Sequence, residues 1–131
     1  MPADALPMPQ LRQIANGLRF PEGPVWLPDG SIVLVEIEGR RLTRITADGR
    51  KTTIAEPGGG PNGAAIGPDG KIYVTNNGGF NWHDDPQHGL RPTGQADDYS
   101  GGRIERIGMS SGSVETLYTQ CNGHKLRGPN D

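Results

Sequence analysis

The residues best placed to do chemistry are Glu22, Asn62 and Asn130, which occupy corresponding positions in three short motifs. Glu22 lies in FPEGPVW, Asn62 in GPNGAAI and Asn130 in the final GPND. If the three positions converge, their carboxylate and carboxamide oxygens suit a hard cation such as Ca²⁺, which takes roughly six to eight oxygen ligands. Neither His nor Cys occupies these positions, which argues against zinc. The pattern therefore favours Ca²⁺ or another divalent cation.

Each of these residues also has a simpler interpretation. Glu22 could accept backbone N–H bonds where a strand begins. Asn62 precedes a glycine, and Asn-Gly is a common turn pair, so we expect it to line a channel more readily than to bind metal.

A second polar group lies in the run WHDDPQH, which holds Trp82, His83, Asp84, Asp85 and His88. Its spacing matches no established metal-ligand pattern. We interpret the segment as a lid that brings Trp82 to a substrate pocket, with a plain solvent-exposed loop as the alternative. Cys121 has no base nearby in the sequence, which argues against a nucleophilic role.

Short strand-like runs joined by turn residues must position these groups. A PDG turn follows Trp26-Leu27, and the runs SIVLVEIE, RLTRIT and KTTIAE predict strands over 31–38, 41–46 and 51–56. A second PDG turn followed by KIYVT restarts the pattern 40 residues later. Residues 76–102 show no hydrophobic period and predict a long loop insertion. Strands over 103–107 and 114–119 then complete the second unit.

Four-stranded units that recur about every 40 residues are typical of β-propeller blades. The predicted fold is all-β, with an irregular N-terminus over 1–17 and about two four-stranded antiparallel blades within 1–131. Propellers need roughly four to eight blades to close. We therefore expect residues 1–131 to be the N-terminal part of a single propeller domain in a longer protein. The alternative is that several copies assemble, and we expect a chain this short to self-associate.

Composition excludes several other classes of protein. The chain has 131 residues with 21 Gly, 12 Pro and only 32% hydrophobic residues, which disfavours a helical bundle. No apolar run approaches the roughly 20 residues of a membrane-spanning helix. The net charge of −2 includes no basic stripe for nucleic acid. The N-terminus lacks the pattern of a signal peptide and the single cysteine permits no internal disulfide, so we expect a cytoplasmic protein without membrane or nucleic-acid partners.

The stretch LRFPEGPVWLPDGSIVLVEIEGRRLTRI, then PNGAAIGPDGKIYVTNNGG and the terminal LRGPND, resembles the SMP-30/gluconolactonase/LRE-like family. The resemblance covers the chain from about Leu18. It implies a six-bladed propeller with Ca²⁺ or another divalent ion in its channel, which opens sugar lactones or related esters. It also implies that Glu22 is a metal ligand, that Asn130 contacts metal or substrate and that Asp131 contacts substrate.

Two further family residues, a second channel Asn and the Asp that acts as acid and base, are expected beyond residue 131. We therefore expect the 131-residue chain alone to lack lactonase activity. In the implied mechanism the cation polarises the lactone carbonyl, while a carboxylate manages the proton of the attacking water. The alternatives are a non-catalytic propeller that serves as an interaction scaffold and an enzyme like strictosidine synthase.

Overall fold

A computed structural model describes residues 5–131, in which all regular structure is β. Residues 5–17 contain no regular element, as predicted for the N-terminus; residues 1–4 of that prediction lie outside the described part. Within the described part, no helix has the length and apolar character needed to cross a membrane.

The first sheet is a four-stranded antiparallel meander. Its strands follow one another in chain order: β1 (Pro21–Trp26), β2 (Ile32–Glu36), β3 (Arg41–Ile45) and β4 (Lys51–Ala55). The first turn forms as the PDG motif predicts, since the Gly30 amide donates to the Leu27 carbonyl at 2.9 Å and Gly30 adopts a φ of +83°. Asp29 closes the turn by accepting a hydrogen bond from the Ser31 amide at 2.9 Å. The predicted strands of this unit are thus confirmed.

The second sheet repeats this arrangement with an insertion. Its first two strands are β5 (Pro61–Ile66) and β6 (Ile72–Asn76); a separate hairpin of β7 (Phe80–Asp85) and β8 (Gly89–Gln95) follows; then β9 (Arg103–Ile107) and β10 (Val114–Tyr118) complete the sheet. The strand order is β10-β9-β6-β5, all antiparallel. A short ladder of β11 (Gln120–Cys121) and β12 (His124–Lys125) comes last. The prediction of two four-stranded antiparallel blades is confirmed.

The prediction of a loop over 76–102 is wrong in one respect, because most of the segment forms the β7–β8 hairpin. Phe80 and Trp82 alternate with polar residues along β7, so they share one face of the hairpin. Trp82 lies opposite Pro92, and the register shifts between Asn81 and Trp82. Pro92 and Gly94 interrupt the pattern of β-forming residues by which β8 could be predicted from the sequence. Both are tolerated in an edge strand of a two-stranded hairpin.

One apolar core joins the two sheets. Val33, Val35 and Leu42 of the first sheet are fully buried in the same cluster as Ile72 and Val74 of the second. Strand β5 packs against both β1 and β2. Strands β1 and β5, the first strand of each sheet in chain order and called the inner strands below, therefore lie beside each other, as in neighbouring propeller blades.

Candidate functional site

Glu22 and Asn62 are each the second residue of an inner strand. Glu22 lies within β1 directly after Pro21, and Asn62 lies within β5 directly after Pro61. Glu22 is exposed, whereas Asn62 is only 9% exposed. Glu22 and Asn62, which are 40 residues apart in the sequence, therefore occupy equivalent positions in the two sheets.

Glycines let the inner strands approach each other closely. A Cβ on Gly23 would lie 2.6 Å from the backbone nitrogen of Ala64, and one on Gly63 would lie 2.7 Å from the Asn130 carbonyl oxygen. Real Cβ atoms do not come so near to backbone, so both positions require glycine. Strand β1, strand β5 and the Asn130 segment therefore lie side by side, which brings the backbones of all three motifs together.

The Asn130 segment is held in this row by β6. The Thr75 hydroxyl donates to the Asn130 carbonyl at 2.5 Å, and the Asn130 carboxamide donates to the Asp131 carboxylate at 2.9 Å. A cavity of about 140 Å³ opens here, and its lining includes Gly23, Gly63, Thr75 and Asp131. Asp131 thus lies beside strands β1 and β5.

A buried carboxylate at the end of β2 positions the start of β1. Glu36 is 1% exposed and accepts hydrogen bonds from the Arg41 guanidinium at 2.6 and 2.8 Å, the Arg19 amide at 2.7 Å and the Thr43 hydroxyl. Burial alone would raise the pKa of Glu36, but these hydrogen bonds and the Arg41 charge outweigh it and lower the pKa to about 2. Glu36 is therefore ionised, and it fixes the chain three residues before Glu22.

At the end of β6, Asn76 holds the start of β5 as Glu36 holds the start of β1. Its carboxamide oxygen accepts from the Gly60 amide at 2.9 Å and the Gly78 amide at 3.0 Å, while its nitrogen donates to the Gly58 carbonyl at 2.9 Å and the Glu105 carboxylate at 2.7 Å. Asn76 is fully buried. It fixes the glycine-rich segment that leads into Asn62.

Sequence reasoning missed both of these anchors. Glu36 lies within the strand predicted over 31–38, and Asn76 is the first residue of the predicted insertion. The usable sequence signal is that the two residues are 40 positions apart, whereas the arginine opposite each, Arg41 or Arg103, is assigned only by the strand register. A polar residue that recurs at the blade period inside an apolar run indicates a buried partner.

The hairpin packs against the first sheet. The Trp82 ring lies 4.9 Å from the ring of Phe20, which directly precedes β1. Three residues after β8, Asp98 forms a two-pronged ion pair with Arg40 at 2.7 and 3.1 Å. Phe20 adopts a φ of +59°, which is unusual for an aromatic residue. Because Phe20 is two residues from Glu22, the hairpin places half-buried Trp82 at the end of the inner strands that carries the polar residues.

The cluster in the hairpin does not form a metal centre. Among residues 5–131, no group of three or more His, Cys, Asp or Glu side chains is arranged to hold a metal ion. The Asp85 carboxylate accepts hydrogen bonds from the amides of Gln87 and His88 at 2.8 and 2.9 Å, so it shapes the hairpin turn.

A cation at the inner strands would have to use oxygen donors that include carboxamides. Glu22 makes no ion pair with any Lys, Arg or His in the described part of the chain, so its carboxylate is available. Together with the Asn130 and Asn62 oxygens, this donor set fits a hard cation in type.

Comparisons with known proteins agree with this architecture. The SMP-30/gluconolactonase/LRE-like region matches residues 20–131. A gluconolactonase of Zymomonas mobilis is 32% identical over 79 residues, which cover 50% of this chain and 22% of the relative. The chain thus spans about a fifth of the length of that relative.

Two solved structures have the same fold. A gluconolactonase of Xanthomonas campestris superposes with a TM-score of 0.65 at 19% identity, over 90% of this chain and 32% of that protein. A candidate gluconolactonase solved by the Northeast Structural Genomics Consortium gives a TM-score of 0.64 at 22% identity, over 92% and 34% respectively. The chain belongs to the SMP-30/gluconolactonase/LRE-like family.

Proposed function

We propose that the protein containing this chain is a metal-dependent hydrolase that opens sugar lactones or related ester rings. The observation that supports the proposal is the close backbone approach at Gly23 and Gly63, which lie next to Glu22 and Asn62 and beside the Asn130-Asp131 segment. Family membership supports the reaction class. Because the chain spans only 22% of its curated relative, activity is proposed for the whole protein.

Within this chain, Glu22 and Asn130 would hold Ca²⁺ or another divalent cation. When bound, such a cation supplies Lewis-acid polarisation of the lactone carbonyl. Asn62, Asp131 and Trp82 are proposed to contact the substrate. Asn62 suits this role because it is almost buried yet lies in the same row as Glu22.

The remaining residues keep this arrangement rigid. Glu36 and Asn76 hold the starts of the two inner strands, so the side chains that follow need little reorganisation when a ligand binds. Trp82 of the hairpin packs against Phe20, which directly precedes β1, and this apolar pair would limit the access of bulk water to the reacting ring.

The proposal is tested by hydrolysis of a sugar lactone with and without a chelator, in the full-length protein. We expect hydrolysis that EDTA abolishes and Ca²⁺ restores, and isothermal titration should show that Glu22→Gln weakens Ca²⁺ binding by at least about tenfold. Glu115→Gln is the matched control, since Glu115 pairs with Arg106 on β9 and β10, away from the inner strands. Unchanged Ca²⁺ affinity in Glu22→Gln would remove Glu22 from the site.

A further inference from the structure

A groove of about 900 Å³ lies beside the end of the hairpin and the β11–β12 ladder. It is several times larger than the cavity of about 140 Å³ at the inner strands. The side chains that matter for its chemistry are those of Gln95, Tyr99, His124, Lys125 and Arg127.

Backbone hydrogen bonds fix the wall that carries the basic residues. The Leu126 amide donates to the Thr119 carbonyl at 2.9 Å, and the Leu126 carbonyl accepts from the Gly102 amide at 2.8 Å. The Tyr99 hydroxyl donates to the Arg127 carbonyl at 2.6 Å. The backbone of Lys125 and Arg127 is thus held before any ligand arrives.

The groove is lined by basic residues, although the chain as a whole has a negative net charge. Its lining includes His124, Lys125 and Arg127 but no Asp or Glu, although the chain has a net charge of −2. Neither Lys125 nor Arg127 has a carboxylate within 4.0 Å in the described part of the chain, whereas Arg41 is paired with Glu36. Unpaired cations on a concave surface attract anions and raise their local concentration.

The groove lies next to the inner-strand site. Arg127 precedes Asn130 by three residues, so their Cα atoms are at most about 11 Å apart. The same short segment therefore contributes a cation to the groove and a carboxamide to the site. A ligand with two functional groups could occupy both places at once.

We propose that the groove binds an anionic group, phosphate or carboxylate, carried by a substrate whose lactone ring lies at the inner strands. This inference rests on the proposed lactonase function and narrows its substrate class to acidic lactones. Arg127 supplies a planar guanidinium that can contact two oxygens of such a group, while Lys125 adds a point charge. Both act in binding and specificity and neither takes part in bond breaking.

Direct binding to the full-length protein tests the groove without requiring turnover. Isothermal titration in EDTA would compare gluconate, gluconate phosphorylated on its terminal hydroxyl, and the dicarboxylate made by oxidising that terminal carbon. We expect at least one of these two ligands with a second anionic group to bind about tenfold more tightly than gluconate, with an affinity that falls as salt is added. Comparing the two ligands distinguishes phosphate from carboxylate recognition.

The double variant Lys125→Gln/Arg127→Gln should remove this preference, so that the phosphorylated and the dicarboxylate compounds bind no more tightly than gluconate. The matched control is Arg50→Gln/Lys71→Gln, which removes two exposed cations from turns outside the groove and should keep the preference. Far-UV circular dichroism melts would verify that both variants fold.

Equal binding of all three acids by the wild type would overturn the proposal, and so would a preference that survives in the double variant. A protein that binds the phosphorylated or the dicarboxylate ligand through Lys125 and Arg127 but hydrolyses no lactone would retain the groove assignment and refute the proposed reaction. Loss of hydrolysis and loss of anion binding are thus separate results.

Discussion

Glu36 and Asn76 occupy equivalent positions in the two sheets, and each fixes the start of an inner strand. Each is the last residue of the second strand of its sheet, and each lies opposite a proline, Pro21 or Pro61, that precedes a candidate site residue. Glu36 uses a carboxylate to hold the Arg19 amide, and Asn76 uses a carboxamide to hold the Gly60 amide. The same mechanical task is thus performed by a charged group in one sheet and a neutral group in the other.

The Glu36 carboxylate should make stability depend on pH in the acid range. Its pKa is lowered from 4.5 to about 2 in the folded protein. Its contribution is therefore complete above about pH 4.5 and is lost as the pH falls towards 2. We expect Glu36→Gln to lower stability at pH 7 by on the order of 3 kcal/mol, and this difference from wild type should shrink at pH 2.5.

Thermal melts of both proteins between pH 7 and pH 2.5 would measure this convergence. Glu115→Gln is a suitable control, because the exposed pair of Glu115 and Arg106 should contribute less than about 1 kcal/mol at any pH. A wild-type advantage over Glu36→Gln that stays constant down to pH 2.5 would contradict the assignment.

Asn76→Ala should be strongly destabilising. The substitution leaves the Gly60 and Gly78 amides and the Glu105 carboxylate without their buried partner. Each unsatisfied buried group costs about 1–3 kcal/mol, so we expect a total loss of at least about 3 kcal/mol in urea unfolding. Thr75→Ala, one residue away and with a single hydrogen bond to the Asn130 carbonyl, should cost less.

Gly63→Ala should separate the inner strand from the Asn130 segment. The added Cβ would meet the Asn130 carbonyl oxygen and the Thr75 hydroxyl, each at 2.7 Å. We expect weaker Ca²⁺ binding in titrations of the full-length protein. Gly128→Ala is the control, because a Cβ there meets nothing within 4 Å and neither glycine has a positive φ. Equal Ca²⁺ affinity in the two variants would show that the close approach does not shape the site.

Arg40→Gln should loosen the hairpin without unfolding the sheets. The Arg40–Asp98 pair is largely exposed, so its loss should change global stability by less than about 1 kcal/mol. Hydrogen exchange over 80–95 should nevertheless become faster, because the Arg40–Asp98 pair joins the segment directly after the hairpin to the first sheet. Arg106→Gln removes a comparable surface pair elsewhere and should leave exchange in the hairpin unchanged.

The two sheets could be predicted from sequence because their signals are local. Each PDG turn brings its own hydrogen bonds, as the Gly67 carbonyl and the Gly70 amide show at 3.0 Å, and each is followed by a run of β-branched residues. The hairpin was missed because Pro92 and Gly94 interrupt its second strand. Alternation of Phe80 and Trp82 with polar residues was the usable signal.

The candidate site was only partly predictable. The repeat identified Glu22, Asn62 and Asn130 as equivalent positions, but the glycine contacts that bring their strands together depend on how the sheets pack. The burial of Glu36 also depends on how the sheets pack, so the sequence alone does not predict it. Its partner Arg41 is assigned by strand register, which the apolar pattern of β2 alone does not fix.

Each of the two inner strands, β1 and β5, is also the edge strand of its own sheet, and both begin with proline. Proline has no amide hydrogen, so Pro21 and Pro61, with Pro24 further along β1, leave gaps in the row of donors that another polypeptide would need. We expect any intermolecular β-pairing to begin at the outer edges, β4 or β10. The prolines beside Glu22 and Asn62 thus disfavour pairing of β1 and β5 with another chain.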